Sequence, residues 1–128
     1  MNRFARRVFT GAAIYGLIVL VPQYFLAARI GADTPPPITH LEYFYGFIGV
    51  AVAWQFVFLL IASDPIRYRW LMLVALIEKW PYGIAILLLW NQARVAPAIL
   101  PFAGIDFVLG ILFVIAFWVT PAQDETVA

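Results

Sequence analysis

Four long apolar runs dominate the chain and leave little choice of fold. They cover residues 8–28, 41–62, 70–90 and 101–120, and each contains 20 to 22 residues. A helix needs about 20 mostly apolar residues to cross the roughly 30 Å hydrocarbon core of a bilayer. Because the runs are continuous rather than alternating, they favour helices over the strands of a membrane barrel. The sequence therefore predicts four transmembrane helices.

The scarcity of charge excludes a soluble protein. Of the 128 residues, 65% are hydrophobic and 12% are charged, whereas about 25% of the residues of a soluble domain are charged. So few charges cannot cover a water-facing surface, and a formal net charge of +1 gives no field that attracts nucleic acid. We interpret residues 1–128 as a single integral membrane domain with the lipid bilayer as its partner, and we expect no nucleic-acid partner.

The connections between the runs are short, which sets the order of the helices. Helices joined by short loops pack as antiparallel neighbours, so the sequence predicts an all-α, four-transmembrane-helix up-down bundle. A cleaved signal peptide is the alternative for the first run. Its apolar stretch is longer than the about 7–15 residues of a signal peptide, so we interpret it as a retained helix.

The arginines predict the orientation in the membrane, because cytoplasmic loops carry an excess of Lys and Arg. With the N-terminus inside, the outer side holds two of them, Arg29 and Arg94. The inner side holds five, namely Arg3, Arg6, Arg7, Arg67 and Arg69. We therefore predict a multi-pass membrane protein with both termini in the cytoplasm.

Five polar residues lie at depth within the predicted helices. Glu78 and Lys79 lie near the middle of the third helix, and Gln55 lies at a similar depth in the second. Asp106 in the fourth helix and Gln23 in the first share a second level, nearer the outer surface. Placing an ionisable side chain inside a membrane costs about 2.5–3.5 kcal/mol on insertion scales. We therefore take all five as candidate ligand-binding residues.

The depths also predict which charges meet. Lys79 and Asp106 differ by five residues in depth, or about 7.5 Å at 1.5 Å per residue, and an extended lysine comes close to spanning that distance. Glu78 and Lys79 are consecutive and point about 100° apart on a helix. We therefore expect only one of these two to face the interior of the bundle. As an alternative to a binding site, the same polar groups only fix the register of the helices.

Three residues at the start of the second helix, His40, Glu42 and Tyr45, form a candidate entrance to the polar region. The pattern Thr39-x-x-Glu42 also fits a capping box, in which the threonine caps the helix and the glutamate bonds back to the cap residue. A capping box would explain Glu42 without any contact to a ligand. Both interpretations remain open at this point.

The inventory of reactive residues argues against a metal site or a cofactor. The chain has no cysteine and one histidine, and ligands on one helix need a spacing of three or four residues rather than the two that separate His40 and Glu42. The sequence also lacks the signatures of serine hydrolases, P-loop proteins and dinucleotide-binding proteins. We predict no metal and no cofactor, and we favour a protein that is not an enzyme.

Three features mark the stretch from His40 to Trp80. They are the aromatic and glycine-rich start of the second helix, EYFYGFIG, the turn SDPIRYR, and the Glu78–Lys79 pair. In these features the chain resembles small bacterial four-helix membrane proteins, the DoxX-like group. The resemblance implies a bacterial inner-membrane protein, and it supplies no catalytic residues to transfer.

Three functions fit the residues. The favoured one is an accessory or structural subunit, as a homo-oligomer or in a larger membrane complex. The reason is that the chain has few residues suited to catalysis, with one histidine and no cysteine. The second is a binder or transporter of a small amphipathic or lipophilic molecule. It would use Glu78, Asp106 and Gln55 around a central cavity that Trp54 and Trp80 also line. The third is a lipid- or quinone-directed membrane enzyme with Glu78 or Asp106 as its acid or base.

The interior of the bundle discriminates between these functions. A cavity that joins the two polar levels favours binding or catalysis. Direct pairing of Lys79 with Asp106 or Glu78 in a tightly packed bundle favours the structural role.

Overall fold

The chain folds almost entirely into helices. The computed structural model describes residues 3–123, and both termini, Met1 and Ala128, lie outside the described residues. The α-helices are α1 (Arg3–Leu20), α2 (Ala27–Asp33), α3 (Leu41–Ser63), α4 (Arg69–Asn91) and α5 (Leu100–Val119). Two 3₁₀ segments, Val21–Phe25 and Pro97–Ile99, follow α1 and precede α5. Over residues 3–123 there is no β-strand.

Four of these helical segments are long and apolar enough to cross a membrane. They are Arg3–Phe25, Leu41–Ser63, Arg69–Asn91 and Pro97–Val119, each of 23 residues. Each segment thus exceeds the about 20 residues that a bilayer requires. The prediction of an all-α four-helix bundle is confirmed, and the protein is a multi-pass membrane protein.

The bounds of the first span differ from the predicted ones. The run over residues 8–28 was expected to form one helix, but the α-helix ends at Leu20 and continues as a 3₁₀ turn. Pro22 accounts for this change, because its ring clashes with the preceding turn of an α-helix and it has no N–H to donate. The chain then forms the short helix α2, which the sequence interpretation placed partly in a loop.

The four long helices form two tight pairs. Helix α1 packs along α3, and α4 packs along α5. The pairs meet each other mainly where α1 contacts α5, and α3 contacts α4 over a shorter length. The order around the bundle is therefore α1, α3, α4, α5, as an up-down connection with short loops requires.

A closely packed core occupies one end of the bundle, which we call the packed end. It contains the start of α1, the end of α3, the start of α4 and the end of α5. Three fully buried aromatic rings form its centre: the rings of Phe9 and Phe113 stack with centroids 4.3 Å apart, and the ring of Phe58 meets that of Phe113 edge-on at 5.2 Å. Small residues such as Ala12 and Ala75 let the helices approach closely around these rings.

Arg69 fastens α4 to α5 at the packed end. Its Nε donates hydrogen bonds to the carbonyl oxygens of Phe117, at 3.1 Å, and Thr120, at 2.7 Å. Its guanidinium also lies 3.8 Å from the centre of the Phe117 ring. The last carbonyls of a helix lack internal partners and carry partial negative charge, so a cation there satisfies them. Arg69 therefore caps α5, in addition to its predicted place near the membrane surface.

The predicted capping box at the start of α3 is wrong. The helix begins at Leu41, the residue before it is His40 rather than Thr39, and no side chain caps the helix. Glu42 instead meets His40, with 3.0 Å between Oε1 and Nδ1. Because the helix starts one residue later than expected, Glu42 is its second residue rather than its third. A capping box requires the third position.

Candidate functional site

A cavity of about 530 Å³ lies between the two helix pairs, away from the packed end. It extends from Lys79 toward the connections, where Asp33 and Ala98 line it, and we call this half of the bundle the open end. The cavity contacts all of the polar residues that the sequence placed at depth: Gln23, Gln55, Glu78, Lys79 and Asp106. The two predicted polar levels therefore belong to one space.

Three charged side chains meet at the deep end of the cavity, and we call them the charged trio: Glu78, Lys79 and Asp106. The ammonium nitrogen of Lys79 lies 3.5 Å from Oε2 of Glu78 and 3.5 Å from Oδ1 of Asp106. The predicted approach of Lys79 to Asp106 is confirmed. The Lys79 side chain is only 5% exposed, and its ammonium lies 5.4 Å from the centre of the Phe58 ring. Lys79 therefore forms the boundary between the cavity and the packed core.

The expectation that only one of the consecutive pair faces the interior is wrong. Glu78 and Lys79 both line the cavity. Glu78 lies on the side of α4 that faces α3, where the two helices make few contacts and leave room for its side chain. From there its carboxylate bends toward Lys79. The gap between the helix pairs, which a single helix does not reveal, explains the difference.

Gln55 crosses from α3 to α1. Its side chain is buried, its Nε2 donates to the carbonyl oxygen of Ala51 at 2.8 Å, and its amide group lies directly over Gly16. A methyl group at Gly16 would collide with that amide. The α1–α3 pair is thus built to hold one polar side chain at the edge of the cavity.

One acceptor atom beside the cavity lacks any polar partner. Among the described residues, the buried Oε1 of Gln55 accepts no hydrogen bond, and the buried Oε2 of Glu78 has only its ion-pair contact with Lys79 at 3.5 Å. A buried polar atom without a partner costs about 1–3 kcal/mol. The charged trio therefore lies beside an unsatisfied amide oxygen.

The rest of the lining is amphipathic. Tyr15 and Tyr82 contribute hydroxyl groups, and Phe47 and Phe102 contribute apolar rings. Asp33, near the connections, is exposed and pairs with Arg29 at 3.6 Å. Its charge is thereby largely balanced, and the polarity of the deep cavity depends on the trio. Mostly apolar walls with a few convergent polar groups are typical of small-molecule sites.

A second, shallower space of about 520 Å³ lies between α3 and α4, and we call it the lateral groove. It shares Phe47, Ala51 and Glu78 with the cavity. Its other walls include Val50 and Ile77, whose side chains point away from the bundle. Glu78 therefore lies between the cavity and the face of the bundle that meets the bilayer.

The predicted entrance residues lie elsewhere. His40 and Glu42 are exposed and pair with each other, and Tyr45 stacks on Tyr24 with ring centroids 6.1 Å apart. None of the three lines the cavity. The start of α3 instead packs against the 3₁₀ segment Val21–Phe25 that follows α1.

The predicted placement of two tryptophans is also wrong. Trp54 lines the lateral groove rather than the cavity. The indole of Trp80 packs directly against Gly110 of α5, and it does not line the cavity either. The Trp80 ring is held against α5 by close packing, and the Trp54 ring lies near that of Phe58 on its own helix; helical spacing alone predicts neither placement.

Sequence reasoning missed the two tyrosines. Helical spacing was an available signal for them, because residues three or four apart share a face. Tyr82 follows Lys79 by three residues, and Tyr15, Val19 and Gln23 follow one another at intervals of four. The small residues Ala12 and Gly16, four apart, do predict a close helix contact on α1, but they do not identify Gln55 as the neighbour of Gly16.

Neither a metal site nor a known relative explains the trio. Over residues 3–123, no three His, Asp or Glu side chains come together as metal ligands would. Comparison with models of protein families, with curated proteins and with solved structures found no match to this chain.

Proposed function

We propose that the protein binds a small amphipathic molecule in the cavity at the open end of the bundle. The observation that carries the proposal is the convergence of Gln23, Gln55, Glu78, Lys79 and Asp106 on one space. Its volume of about 530 Å³ lies within the about 300–1,000 Å³ of small-molecule sites. Polar groups that only fixed helix register would pack against one another and leave no such space.

The arrangement of the trio favours binding over a purely structural role. Lys79 pairs with both carboxylates, as a structural role also requires. However, polar bonds between membrane helices contribute only about 0.6 kcal/mol on average, and here two carboxylates share one ammonium group while Oε1 of Gln55 has no hydrogen-bond partner. A ligand that satisfies them would supply the missing stabilisation. A structural subunit and a membrane enzyme remain the alternatives to this proposal.

The lateral groove supports a ligand that is dissolved in the bilayer. It gives such a molecule a route between α3 and α4 to Glu78 without passage through water. Phe47 and Val50 at its outer side are apolar and compatible with lipid tails. The proposed ligand is therefore lipophilic enough to partition into membranes.

The location of the protein is also a proposal. The excess of arginine at the packed end, including Arg3 and Arg67, supports an orientation with both termini in the cytoplasm. The bacterial inner (plasma) membrane and membership of the DoxX-like group are proposed from the features between His40 and Trp80. In this orientation the open end faces the outer half of the bilayer.

Molecules retained by the purified protein test the proposal. We would extract the full-length chain after purification in detergent and identify bound compounds by mass spectrometry. Val19 lines the cavity, so Val19→Trp fills it with a large side chain. Val108 faces outward on α5, which makes Val108→Trp the matched control.

We expect wild type and Val108→Trp to retain the same small compound beyond bulk lipid, and Val19→Trp to lose it while still folding. Glu78→Gln and Asp106→Asn should lower retention more than they lower the folded yield. The proposal fails if wild type retains nothing beyond bulk lipid, or if Val19→Trp retains as much as wild type.

A further inference from the structure

The negative charges of the deep cavity outnumber the positive ones. Glu78 and Asp106 supply two carboxylates, and Lys79 supplies one ammonium group between them. Asp33 also lines the cavity but is paired with Arg29, and Tyr15 and Tyr82 are neutral in their ordinary form. With both carboxylates ionised, the trio has a net charge of −1.

An unbalanced charge inside a membrane is costly. A buried charge becomes tolerable when it is paired and hydrogen-bonded. Lys79 lies at the same distance from both carboxylates, so one positive charge is shared between two negative ones. A second positive charge in the cavity would give each carboxylate its own partner.

The acceptor atoms beside the cavity point to the same chemistry. Among the described residues, Oε1 of Gln55 has no hydrogen-bond partner, and Oε2 of Glu78 has only its ion-pair contact with Lys79 at 3.5 Å. Gln55 is only 1% exposed, and one N–H of its Nε2 is engaged by the carbonyl oxygen of Ala51, so Oε1 is the atom of this amide that has no partner. A ligand suited to these atoms carries N–H or O–H groups rather than acceptors.

We propose that the ligand of the cavity is a lipophilic amine in its protonated form. Its ammonium group lies among Glu78, Asp106 and Gln55, donates to their oxygens and balances the second carboxylate. Its apolar body rests against residues such as Phe47, Val19 and Phe102. This inference rests on the proposed function and adds the chemical class of the ligand.

Three probes with the same rigid cage test the ligand class on the wild-type protein. They are aminoadamantane, which is protonated at neutral pH, hydroxyadamantane, which is neutral, and adamantane carboxylate, which is an anion. We would measure the binding of radiolabelled probes by equilibrium dialysis, using the full-length chain in phosphatidylcholine nanodiscs. Empty nanodiscs of the same lipid correct for partitioning into the bilayer.

We expect the amine to bind saturably at one molecule per chain, and the alcohol and the carboxylate to bind at least about tenfold more weakly, a difference of about 1.4 kcal/mol. Asp106→Asn and Glu78→Gln should each weaken binding of the amine by a similar factor. Asp64→Asn removes an exposed carboxylate in the turn between α3 and α4 and should leave binding unchanged.

Binding of the alcohol or the carboxylate as tightly as the amine would overturn the amine assignment, as would binding of none of the three. The wild-type comparison needs no variant, so a poorly folding Asp106→Asn does not affect it. Failure of the proposed function itself is seen separately, in the absence of a retained compound from the purified protein.

Discussion

The two ends of the bundle use the same four helices in opposite ways. At the packed end, the rings of Phe9, Phe58 and Phe113 fill the centre and small residues bring the helices together. At the open end, α1 stays with α3 and α4 stays with α5, and a cavity of about 530 Å³ separates the pairs. The difference indicates that one end holds the bundle together while the other provides a site.

Lys79 lies where the two ends meet. Its ammonium lies 5.4 Å from the centre of the Phe58 ring of the packed core, and it contacts the carboxylates of the cavity. Because the packed end fixes its helix, the position of this charge does not depend on a ligand. A rigid support beneath a binding site keeps the side chains in their productive geometry.

The largest expected effect is at the packed end. Phe113→Ala should lower the free energy of unfolding by about 4 kcal/mol, because it removes the ring that contacts both other aromatic residues. Phe102 lies on the same face of α5, three turns away, and lines the cavity. Phe102→Ala should therefore cost much less. Unfolding in mixed micelles measures the loss of stability in each variant. Equal losses in Phe113→Ala and Phe102→Ala would contradict the contrast between the two ends.

Next in size is the loss of the central cation. Lys79→Met leaves Glu78 and Asp106 without their partner, and removal of one member of a buried ion pair costs about 3 kcal/mol or more. Adding Asp106→Asn to Lys79→Met should recover part of the loss, because it removes one uncompensated charge. Unfolding measurements on the single and double variants give the coupling. Strictly additive losses would show that Lys79 and Asp106 do not interact.

A smaller effect is expected where α4 meets α5. The indole of Trp80 occupies the space next to Gly110, so Gly110→Ala should destabilise the protein by about 2 kcal/mol through overpacking. Gly104, on the same helix, has no neighbouring atom near the position of an added methyl group. Gly104→Ala should be neutral or slightly stabilising. A tolerated Gly110→Ala would mean that the pair is looser than described.

The smallest effect is expected at the candidate entrance. Glu42 is exposed and contacts His40 outside the cavity, so Glu42→Gln should change neither the unfolding midpoint nor the retention of a compound. Glu78→Gln makes the same chemical change inside the cavity and should lower retention. If Glu42→Gln lowered retention to the same degree, the site would extend to the start of α3.

Hydropathy and depth predicted much of this molecule. The lengths of the apolar runs gave the four spans, and counting along them placed Gln23, Gln55, Lys79 and Asp106 at compatible levels. These inferences succeed because a bilayer of fixed thickness converts position in a sequence into depth. The close approach of Lys79 to Asp106 follows from the same geometry.

Features that depend on contacts between helices could not be predicted in this way. Arg69 caps a carbonyl 51 residues away, and a small residue such as Gly16 indicates a close helix contact but not that Gln55 of another helix lies over it. The direction of Glu78 depends on how far α3 stands from α4. A single sequence indicates which face of each helix is buried, but it does not give the distance between neighbouring helices. The cavity is the space that this distance leaves between the two helix pairs.

Cysteine accessibility tests the contrast between the two ends most directly. The chain has no cysteine of its own, and Ala12 and Val19 lie two turns apart on one face of α1, in the packed core and at the cavity respectively. A thiol reacts as its thiolate, and burial in apolar surroundings disfavours that form. In nanodiscs we expect a water-soluble maleimide to modify Val19→Cys and to leave Ala12→Cys unmodified. Equal reactivity of the two, or an unreactive Val19→Cys, would contradict the account of a packed end and an open end.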